Sequence, residues 1–216
     1  GVFAGLNAGS AYIDMSTNSP TTVRKIAEIG TAKGFRVLDA PISGGVFGAR
    51  DATLTIFVGG EEGDFEQFQP LLQSLGTNVV HMGPAGSGSV TKLVNNTMMF
   101  INLMAACEGL AVGAKAGIHP QALYDVIITS LGQSMALERH VQLSLKGEVM
   151  FSTIDLAAKD MHLGLELAKN MGTPLELTSM VDSAFTRLCD DGLGQGDQTD
   201  IVREFMRLAG VDLSRH

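Results

Sequence analysis

A chain of 216 residues is long enough for one large domain or two small ones. With 45% hydrophobic and 18% charged residues, its composition is that of a folded globular protein. The net charge of −8 argues against nucleic acid as a partner, because phosphate backbones are bound by basic surfaces.

The two cysteines, Cys107 and Cys189, are far apart in sequence and cannot form a disulfide framework. This predicts a reducing compartment, the cytoplasm or the mitochondrial matrix. The histidines show no metal-ligand spacing, so no metal is expected. Charged and amide side chains interrupt the longest apolar run, Val90–Val112, which argues against a membrane span.

The first 85 residues alternate between strand-like and helical patterns. Pro20 fits a first helical turn and Gly34 fits the position just after a helix end. Strand, helix, strand within about thirty residues predicts a βαβ unit with parallel strands. Residues 40–49 are predicted to be a loop at the carboxyl end of the second strand, where open α/β sheets bind ligands. The predicted elements are strands Ala11–Asp14, Phe35–Asp39, Thr53–Val58 and Asn78–Met82, and helices Thr21–Lys33 and Glu61–Leu75.

From residue 86 onward the sequence predicts helices, by the spacing of apolar residues and by the positions of helix breakers. Residues 1–85 and 86–216 are therefore expected to form separate domains. Residues 191–197 are predicted to be a glycine-rich loop. The predicted helices run over Val90–Lys115, Pro120–Thr129, Met135–Leu145, Ile154–Met171, Leu175–Asp190 and Thr199–Ala209.

The residues from Gly83 to Asn96 join the two parts of the chain. Lys92 and Asn96 lie four positions apart, and so on one helical face. A buried ammonium group is costly, so it pairs, reaches water or loses its proton. The simplest interpretation is that Lys92 stretches to solvent from the first helical turn.

The same glycines partly match two nucleotide-binding motifs. Gly83 and Gly88 have the spacing of a P-loop, but Ser89 stands where its lysine should follow. No G-x-G-x-x-G sequence follows a predicted strand, so a dinucleotide-binding turn of that type is not expected within this chain.

Ser43, Gly44 and Gly45 offer a hydroxyl group and backbone N–H groups without obstructing side chains. Such a segment can hold a small carboxylate. It is also an ordinary turn sequence. Lys159 and Asp160, taken by themselves, are best interpreted as a solvated pair on a helix surface.

Five motifs in order resemble the β-hydroxyacid dehydrogenases, the family of 3-hydroxyisobutyrate dehydrogenase and tartronate semialdehyde reductase. The resemblance covers nearly the whole chain. The motifs are Asp14-Met15-Ser16-Thr17, Asp39-Ala40-Pro41-Ile42-Ser43-Gly44-Gly45, Val58-Gly59-Gly60, Gly83-Pro84-Ala85-Gly86-Ser87-Gly88 with Lys92-Leu93-Val94-Asn95-Asn96, and Lys159-Asp160.

The resemblance implies the C-terminal part of a Rossmann-type domain in residues 1–85, binding NAD or NADP. A long interdomain helix and an all-α domain then follow in residues 86–216. It implies hydride transfer between the nicotinamide and a small carboxylate-bearing 3-hydroxy acid or its semialdehyde.

The resemblance also implies roles for individual residues. Lys92 would be the general acid/base and Asn96 its orienting hydrogen-bond partner, while Thr17 and Lys159 would contact the cofactor. Asp197 falls in a loop that lies near the family's site. Ser43, Gly44 and Gly45 would hold the substrate carboxylate.

A lysine suits this chemistry, because the hydroxyl proton must leave as hydride departs and a dry cleft brings an amine toward its neutral form. The chain starts with Gly1 and lacks the family's first strand and glycine turn. We therefore expect a truncated form with an incomplete cofactor site. The alternative is a non-catalytic helical oligomerisation or binding module with Lys92 in solvent. The apolar helical part predicts a homodimer or homotetramer.

Overall fold

The computed structural model describes residues 1–7 and 9–211. Their contacts group the chain into two compact units, and the division falls between Asn95 and Asn96. The first unit contains residues 1–95 with 169–171, and the second contains residues 96–168 and those from 172 onward.

The first unit is a mixed α/β structure. After a short 3₁₀ turn at Val2–Ala4, it contains the elements β1 Ala11–Asp14, α1 Pro20–Ala32, β2 Arg36–Asp39, β3 Ile42–Ser43, α2 Gly45–Arg50, β4 Thr55–Gly59, α3 Glu62–Gln73 and β5 Asn78–Gly83. The predicted strands and helices are confirmed to within a few residues. The predicted loop over residues 40–49 is wrong in part, because it contains β3 and the short helix α2.

Helix α1 begins as its sequence predicts. The Ser19 hydroxyl accepts a hydrogen bond of 3.2 Å from the backbone N–H of Thr22, and Pro20 occupies the first turn. This cap satisfies one of the N–H groups that a helix start leaves open. Gly34, with φ of 78°, reverses the chain into β2 just after the helix ends.

The expected βαβ unit is present, since β1 and β2 are parallel and α1 connects them. Their register places Asp14 opposite Asp39 at the carboxyl ends. Strand β4 meets β2 in antiparallel fashion through Asp39 and Gly59, pairs antiparallel with β3, and pairs parallel with β5. The carboxyl ends of β2, β4 and β5 therefore converge, because Gly59 is also in register with Gly83.

The core of the first unit lies on one face of these strands. In β4 the fully buried Ile56 and Val58 alternate with the partly exposed Thr55 and Phe57, whereas β2 is buried from Val37 to Asp39 and adds Leu38 to the same cluster. Leu72 of α3 packs against them, and Phe65 completes this side.

Helix α4 runs over Ser87–Lys115 and starts three residues before the predicted position. By length and composition it is apolar enough to cross a membrane. Its side chains Phe100, Leu103 and Leu110 are instead buried at the centre of the second unit. Burial of these side chains accounts for part of the apolar sequence.

The second unit consists of helices joined by turns and loops, with an isolated antiparallel bridge between Thr153 and Asp197 in its described part. After α4 it contains α5 Pro120–Ile127, a π-helical turn Leu137–Val141 that continues into α6 Gln142–Lys146, α7 Ile154–Met171, α8 Glu176–Leu188, a second π-helical turn Cys189–Leu193 and α9 Thr199–Leu208. The predicted helices are confirmed. The predicted loop 191–197 differs at its start, because residues 189–193 form a π-helical turn.

One continuous core joins the helices of the second unit. Phe100 of α4 contacts Phe185 of α8 edge to face, with ring centroids 5.3 Å apart. Met161 of α7 and Ile201 of α9 are fully buried in the same cluster. Burying these side chains is the main source of the unit's stability.

Candidate active site

The N-terminus of α4 is fastened to the ends of the strands by one buried carboxylate. Asp39 is 1% exposed and accepts hydrogen bonds of 2.7 Å from the backbone N–H groups of Gly86 and Ser89. These are two of the N–H groups that would otherwise lack a partner at a helix start, and a negative charge is favourable there. Asp39 thus holds the first turn of α4 against the end of β2.

Glycines make this close approach possible. A Cβ on Gly88 would collide with the carbonyl oxygen of Phe57 and lie 2.9 Å from that of Asp39. A Cβ on Gly59 would collide with the Asp39 carboxylate. The Asp39 carboxylate also fills the place where a P-loop would bind phosphate, so the structure argues against that interpretation.

Lys92 lies one turn beyond this anchored start, on α4, and is partly buried. The first turn of α4 is held rigidly, so the backbone that carries Lys92 is well defined. Partial burial is compatible with a lysine that reaches solvent from the helix start, so the role of Lys92 stays a prediction.

The segment Ser43-Gly44-Gly45 connects β3 to α2. Ser43 pairs with Thr55 of β4, which fixes the backbone just before the two glycines. Gly44 and Gly45 have φ angles of 131° and 62°, which side chains rarely adopt. Among the described residues, no atom beyond the adjoining backbone lies within 4 Å of a Cβ built on Gly45, so the backbone there is open to an approaching group.

Thr17 lies in a turn that follows β1. The Asp14 carboxylate accepts hydrogen bonds of 2.9 Å from the backbone N–H of Ser16 and from the side-chain amide of Asn18. Because Asp14 and Asp39 are in register, this turn and the segment after β2 leave the sheet at the same edge. That edge is where open α/β sheets bind their ligands.

In the helical unit the structure brings together Asn96, Lys159 and Asp160. The Asn96 amide donates a hydrogen bond of 2.6 Å to Asp160, and the Lys159 ammonium lies 3.1 Å from the other carboxylate oxygen. The solvated-pair interpretation is wrong for Asp160, which is 9% exposed. It is correct for Lys159, which is exposed on the same helix.

Asp197 fastens the loop before α7 to the start of α9. Its carboxylate accepts hydrogen bonds from the backbone N–H groups of Met150, Ser152 and Thr199 and from the Thr199 hydroxyl. Burial acts to raise the pKa of Asp197, but these hydrogen bonds outweigh it and lower the pKa. Its contacts are those of a structural clamp.

A titratable side chain, the imidazole of His140, is also buried in this unit. His140, in the first π-helical turn, is 2% exposed, and its Nε2 lies 3.3 Å from Gln198 Oε1. Gln198 in turn donates hydrogen bonds to the Ser152 hydroxyl and the Thr153 carbonyl. Burial lowers the pKa of His140, with Gln198 and Asp197 opposing the shift.

Two family profiles match the chain. One, described as the NAD-binding domain of NADP-dependent 3-hydroxyisobutyrate dehydrogenase, matches residues 86–205, and one described as the NAD binding domain of 6-phosphogluconate dehydrogenase matches residues 1–83. The 2-(hydroxymethyl)glutarate dehydrogenase of Eubacterium barkeri is 35% identical over 99% of the chain and 72% of its own length. The chain belongs to the β-hydroxyacid dehydrogenase family.

Further comparisons agree with this β-hydroxyacid dehydrogenase assignment. A mitochondrial 3-hydroxyisobutyrate dehydrogenase of Dictyostelium discoideum, itself a probable assignment, is 33% identical over 95% of the chain and 66% of its own length. The crystal structure of 3-hydroxyisobutyrate dehydrogenase from Salmonella typhimurium superimposes with a TM-score of 0.85 at 31% identity, covering 92% of this chain and 70% of that one. The chain thus spans about two thirds to three quarters of these relatives.

Family membership makes this dehydrogenase an NAD(P)-dependent oxidoreductase. The donors in the described structure fit such a cofactor at the edge where β1 and β2 end. Ser16 and Thr17 offer hydroxyl groups in the turn that Asp14 orders, and Ser16 is exposed. Uncharged hydroxyl and N–H donors of this kind suit ribose, phosphate and carboxamide groups.

Sequence reasoning overlooked the structural roles of Asp39 and Asp160, although both lie in motifs that it used. Asp39 ends a buried strand, and Asp160 lies between Ala157 and Met161 on the core-facing side of a periodic helix. A carboxylate at such a position must have partners, because an unpaired buried charge is very costly. That requirement is the signal that points to both residues.

Proposed function

We propose that this chain takes part in reversible hydride transfer between NAD(P) and a small carboxylate that carries a hydroxymethyl group on the adjacent carbon. The names of the two relatives, 2-(hydroxymethyl)glutarate dehydrogenase and 3-hydroxyisobutyrate dehydrogenase, describe substrates with this shared unit. The supporting observation is similarity to these enzymes along almost the entire chain. The two substrates differ in the other substituent of the carbon that carries the hydroxymethyl group.

We propose that Lys92 is the general acid/base. In oxidation its neutral amine takes the hydroxyl proton while hydride leaves the carbinol carbon, and the product is the semialdehyde with one proton now on Lys92. In reduction the ammonium returns that proton to the forming alkoxide. When bound, the nicotinamide supplies the hydride acceptor or donor. The rigid start of α4, held by Asp39, supports this role because proton transfer requires a fixed distance.

Ser43, Gly44 and Gly45 are proposed to hold the substrate carboxylate. The open backbone at Gly45 and the two unusual glycine conformations support this, since N–H groups can be presented there without a side chain in the way. Thr17 and Lys159 are proposed to contact the cofactor, Thr17 through its hydroxyl group and Lys159 through its charge. Asn96 is proposed to orient the reacting groups beside Lys92.

The substrate proposal is tested with purified protein and both cofactors. The panel contains 3-hydroxyisobutyrate, 2-(hydroxymethyl)glutarate, lactate as a 2-hydroxy acid, and 2-methylpropan-1-ol as an alcohol without the carboxylate. Nicotinamide reduction with the first two, and not with lactate or the alcohol, is expected. Equal turnover of the alcohol would show that the carboxylate is not recognised and would remove the role of Ser43, Gly44 and Gly45.

We also propose that the chain assembles as a homodimer or homotetramer in a reducing compartment. Large apolar side chains are exposed on the helical unit, including Met98, Val112 and Met180. Burial raises the pKa of Cys107 to about 12, so this thiol stays protonated and inert. Light scattering after size-exclusion chromatography tests the assembly, and Met98→Glu and Met180→Glu are expected to shift it toward the monomer. A monomeric wild-type protein would contradict the proposal.

A further inference from the structure

Asp160 is the one member of the Asn96–Lys159–Asp160 group to which the sequence resemblance gave no role. It lies on α7, faces the core between Ala157 and Met161, and is nine-tenths buried. Its two carboxylate oxygens differ, because Oδ2 accepts a hydrogen bond whereas Oδ1 has an ion-pair contact and no hydrogen-bond partner among the described residues. Oδ2 accepts the Asn96 amide at 2.6 Å, and Oδ1 lies 3.1 Å from the Lys159 ammonium.

The contact determines the orientation of the Asn96 amide. A carboxylate paired with an ammonium can only accept hydrogen bonds, so the nitrogen of the amide must face it. Asn96 is 4% exposed on α4, so water cannot readily take over this contact. The carbonyl oxygen of Asn96 is therefore turned away from Asp160. A neutral amide at position 160 would accept either orientation of Asn96, because it can both donate and accept.

The same carboxylate restrains Lys159. Residues i and i+1 of a helix do not face each other, so the Lys159 side chain must bend along the helix to reach Asp160. A lysine side chain in solvent otherwise samples many rotamers, and holding it in one conformation has an entropic cost. The ion pair with a largely buried partner offsets that cost and limits where the ammonium can lie.

A glycine sets the distance between the two helices at this point. One turn after Asp160 on α7, a Cβ built on Gly164 would lie 2.7 Å from the hydroxyl oxygen of Thr97, the residue next to Asn96. Real Cβ atoms are essentially never this close to another atom. Gly164 therefore allows α7 and α4 to approach closely enough for the short Asn96–Asp160 hydrogen bond.

We propose that Asp160 is a positioning residue, which fixes the orientation of the Asn96 amide and restrains the Lys159 ammonium, with Gly164 setting the spacing. Its catalytic consequence rests on the proposed function, in which Asn96 acts beside Lys92 and Lys159 contacts the cofactor. The hydrogen bond itself does not depend on that function. The two parts are therefore tested separately.

The first test observes the Asn96 side-chain amide by ¹H–¹⁵N NMR of the whole chain, with the signal assigned through Asn96→Ala. In the wild-type protein the proton bonded to Asp160 is expected far downfield, because the hydrogen bond is short and its acceptor is charged. Asp160→Asn is expected to move it toward the position of exposed amides. Glu166→Gln, which changes an exposed carboxylate of the same helix, is the matched control and leaves it in place.

Gly164→Ala provides a second route if Asp160→Asn does not fold. It leaves every polar group intact and is expected to move the same amide signal by pushing α7 away from α4. The double variant Gly164→Ala/Thr97→Ala removes the hydroxyl that the new methyl group meets, and is expected to restore the signal. An Asn96 signal that is unchanged in both Asp160→Asn and Gly164→Ala would overturn the proposal.

The second test is a kinetic cycle. Asp160→Asn is expected to lower kcat by about 10- to 100-fold, as for other groups that orient a functional residue, with KM for the hydroxy acid changed far less. In an Asn96→Ala background most of this loss should disappear, because the two residues act through one contact. Fully additive losses would overturn the positioning role. A wild-type protein inactive with every substrate would reject the proposed function, and the amide signal would still decide the orientation.

Discussion

The Asp39 carboxylate accepts a hydrogen bond of 2.7 Å from the backbone N–H of Ser89, which ties the end of strand β2 to the first turn of α4. These residues are 50 positions apart, yet the contact is buried and matched by a second bond from Gly86. This tertiary contact explains why α4 begins where it does. The first turn of α4 thus takes its position from a residue at the end of strand β2.

Asp39→Ala is expected to reduce the free energy of unfolding by about 3 kcal/mol or more, because two buried N–H groups lose a charged acceptor. The measurement is urea denaturation followed by circular dichroism. The control is Asp51→Ala, which removes an exposed carboxylate paired with Arg50 and should have far less effect on the free energy of unfolding. Equal losses in the two variants would show that Asp39 is not an anchor.

Gly88→Ala is expected to destabilise the protein by about 2–3 kcal/mol, because the new methyl group meets the backbone at Phe57 and Asp39, which cannot easily move. Gly109 provides a matched control in the interior of the same helix. In the described part of the chain, no atom outside the helix's own backbone lies within 4 Å of its Cβ position, so Gly109→Ala should stabilise by about 0.5–1 kcal/mol. Thermal unfolding of both variants tests the pair, and a neutral Gly88→Ala would contradict the close approach.

Lys92→Ala is expected to lower kcat by about two to four orders of magnitude while the fold remains intact. Lys92→Arg should lose activity as well, since a guanidinium group stays protonated and cannot act as a base. Lys25→Ala, at an exposed position of α1, is the control and should retain full turnover. Circular dichroism verifies folding, and near wild-type turnover in Lys92→Ala would remove this lysine from the mechanism.

The sequence predicted most helices and strands because their signals are local. Helix α7 was predicted with its observed ends, Ile154 and Met171, from a clear apolar period and the Gly172–Pro174 breaker. The start of α4 was predicted three residues late, since Ser87, Gly88 and Ser89 are poor helix formers. Their helical conformation depends on Asp39, a tertiary contact that a local pattern does not contain.

The mixed sheet could not be predicted from the same patterns. Strand β4 has the composition of any buried strand, which does not indicate its direction. It runs antiparallel to β2, and the two strands pair through Asp39 and Gly59. The short elements β3 and α2 were missed because the glycines at 44 and 45 indicate a turn, and only the pairing of Ser43 with Thr55 makes a strand of it.

The sequence named candidate residues for the site but did not predict the contacts between them. Lys159 and Asp160 were recognised as a motif, but their sequence gives no indication that Asp160 bonds to Asn96, 64 positions away. The roles of Lys92 and of Ser43, Gly44 and Gly45 remain predictions that rest on resemblance and await the kinetic tests.

Asp197→Ala is expected to loosen the loop over residues 147–153 without unfolding the helical core. The variant removes the shared acceptor for the N–H groups of Met150 and Ser152, which flank Phe151, a residue with a strained φ of 59°. Hydrogen exchange with mass spectrometry should show faster exchange in that loop only. Asp190→Ala, at an exposed position, is the control, and an unchanged loop in Asp197→Ala would contradict the clamp.

The buried His140 predicts a pH dependence of stability. Its pKa lies below the ordinary value of 6.5 in the folded state because burial disfavours the imidazolium. Above that pH both states are neutral at this residue and it contributes no slope. As the pH falls below 6.5, the unfolded chain binds the proton first, so the free energy of unfolding decreases until the folded state also binds it. The slope from this residue is at most about 1.4 kcal/mol per pH unit.

Urea denaturation at a series of pH values between about 5 and 8, the range around an ordinary histidine pKa, measures this slope. His140→Gln is expected to flatten the curve below neutrality, whatever its effect on stability at pH 8, because the proton-binding difference is gone. His162→Gln is the matched control, since His162 is exposed, and it should keep most of the wild-type slope. Parallel curves for wild type and His140→Gln would show that another group takes up the proton. The pH dependence could then not be assigned to the His140 imidazole.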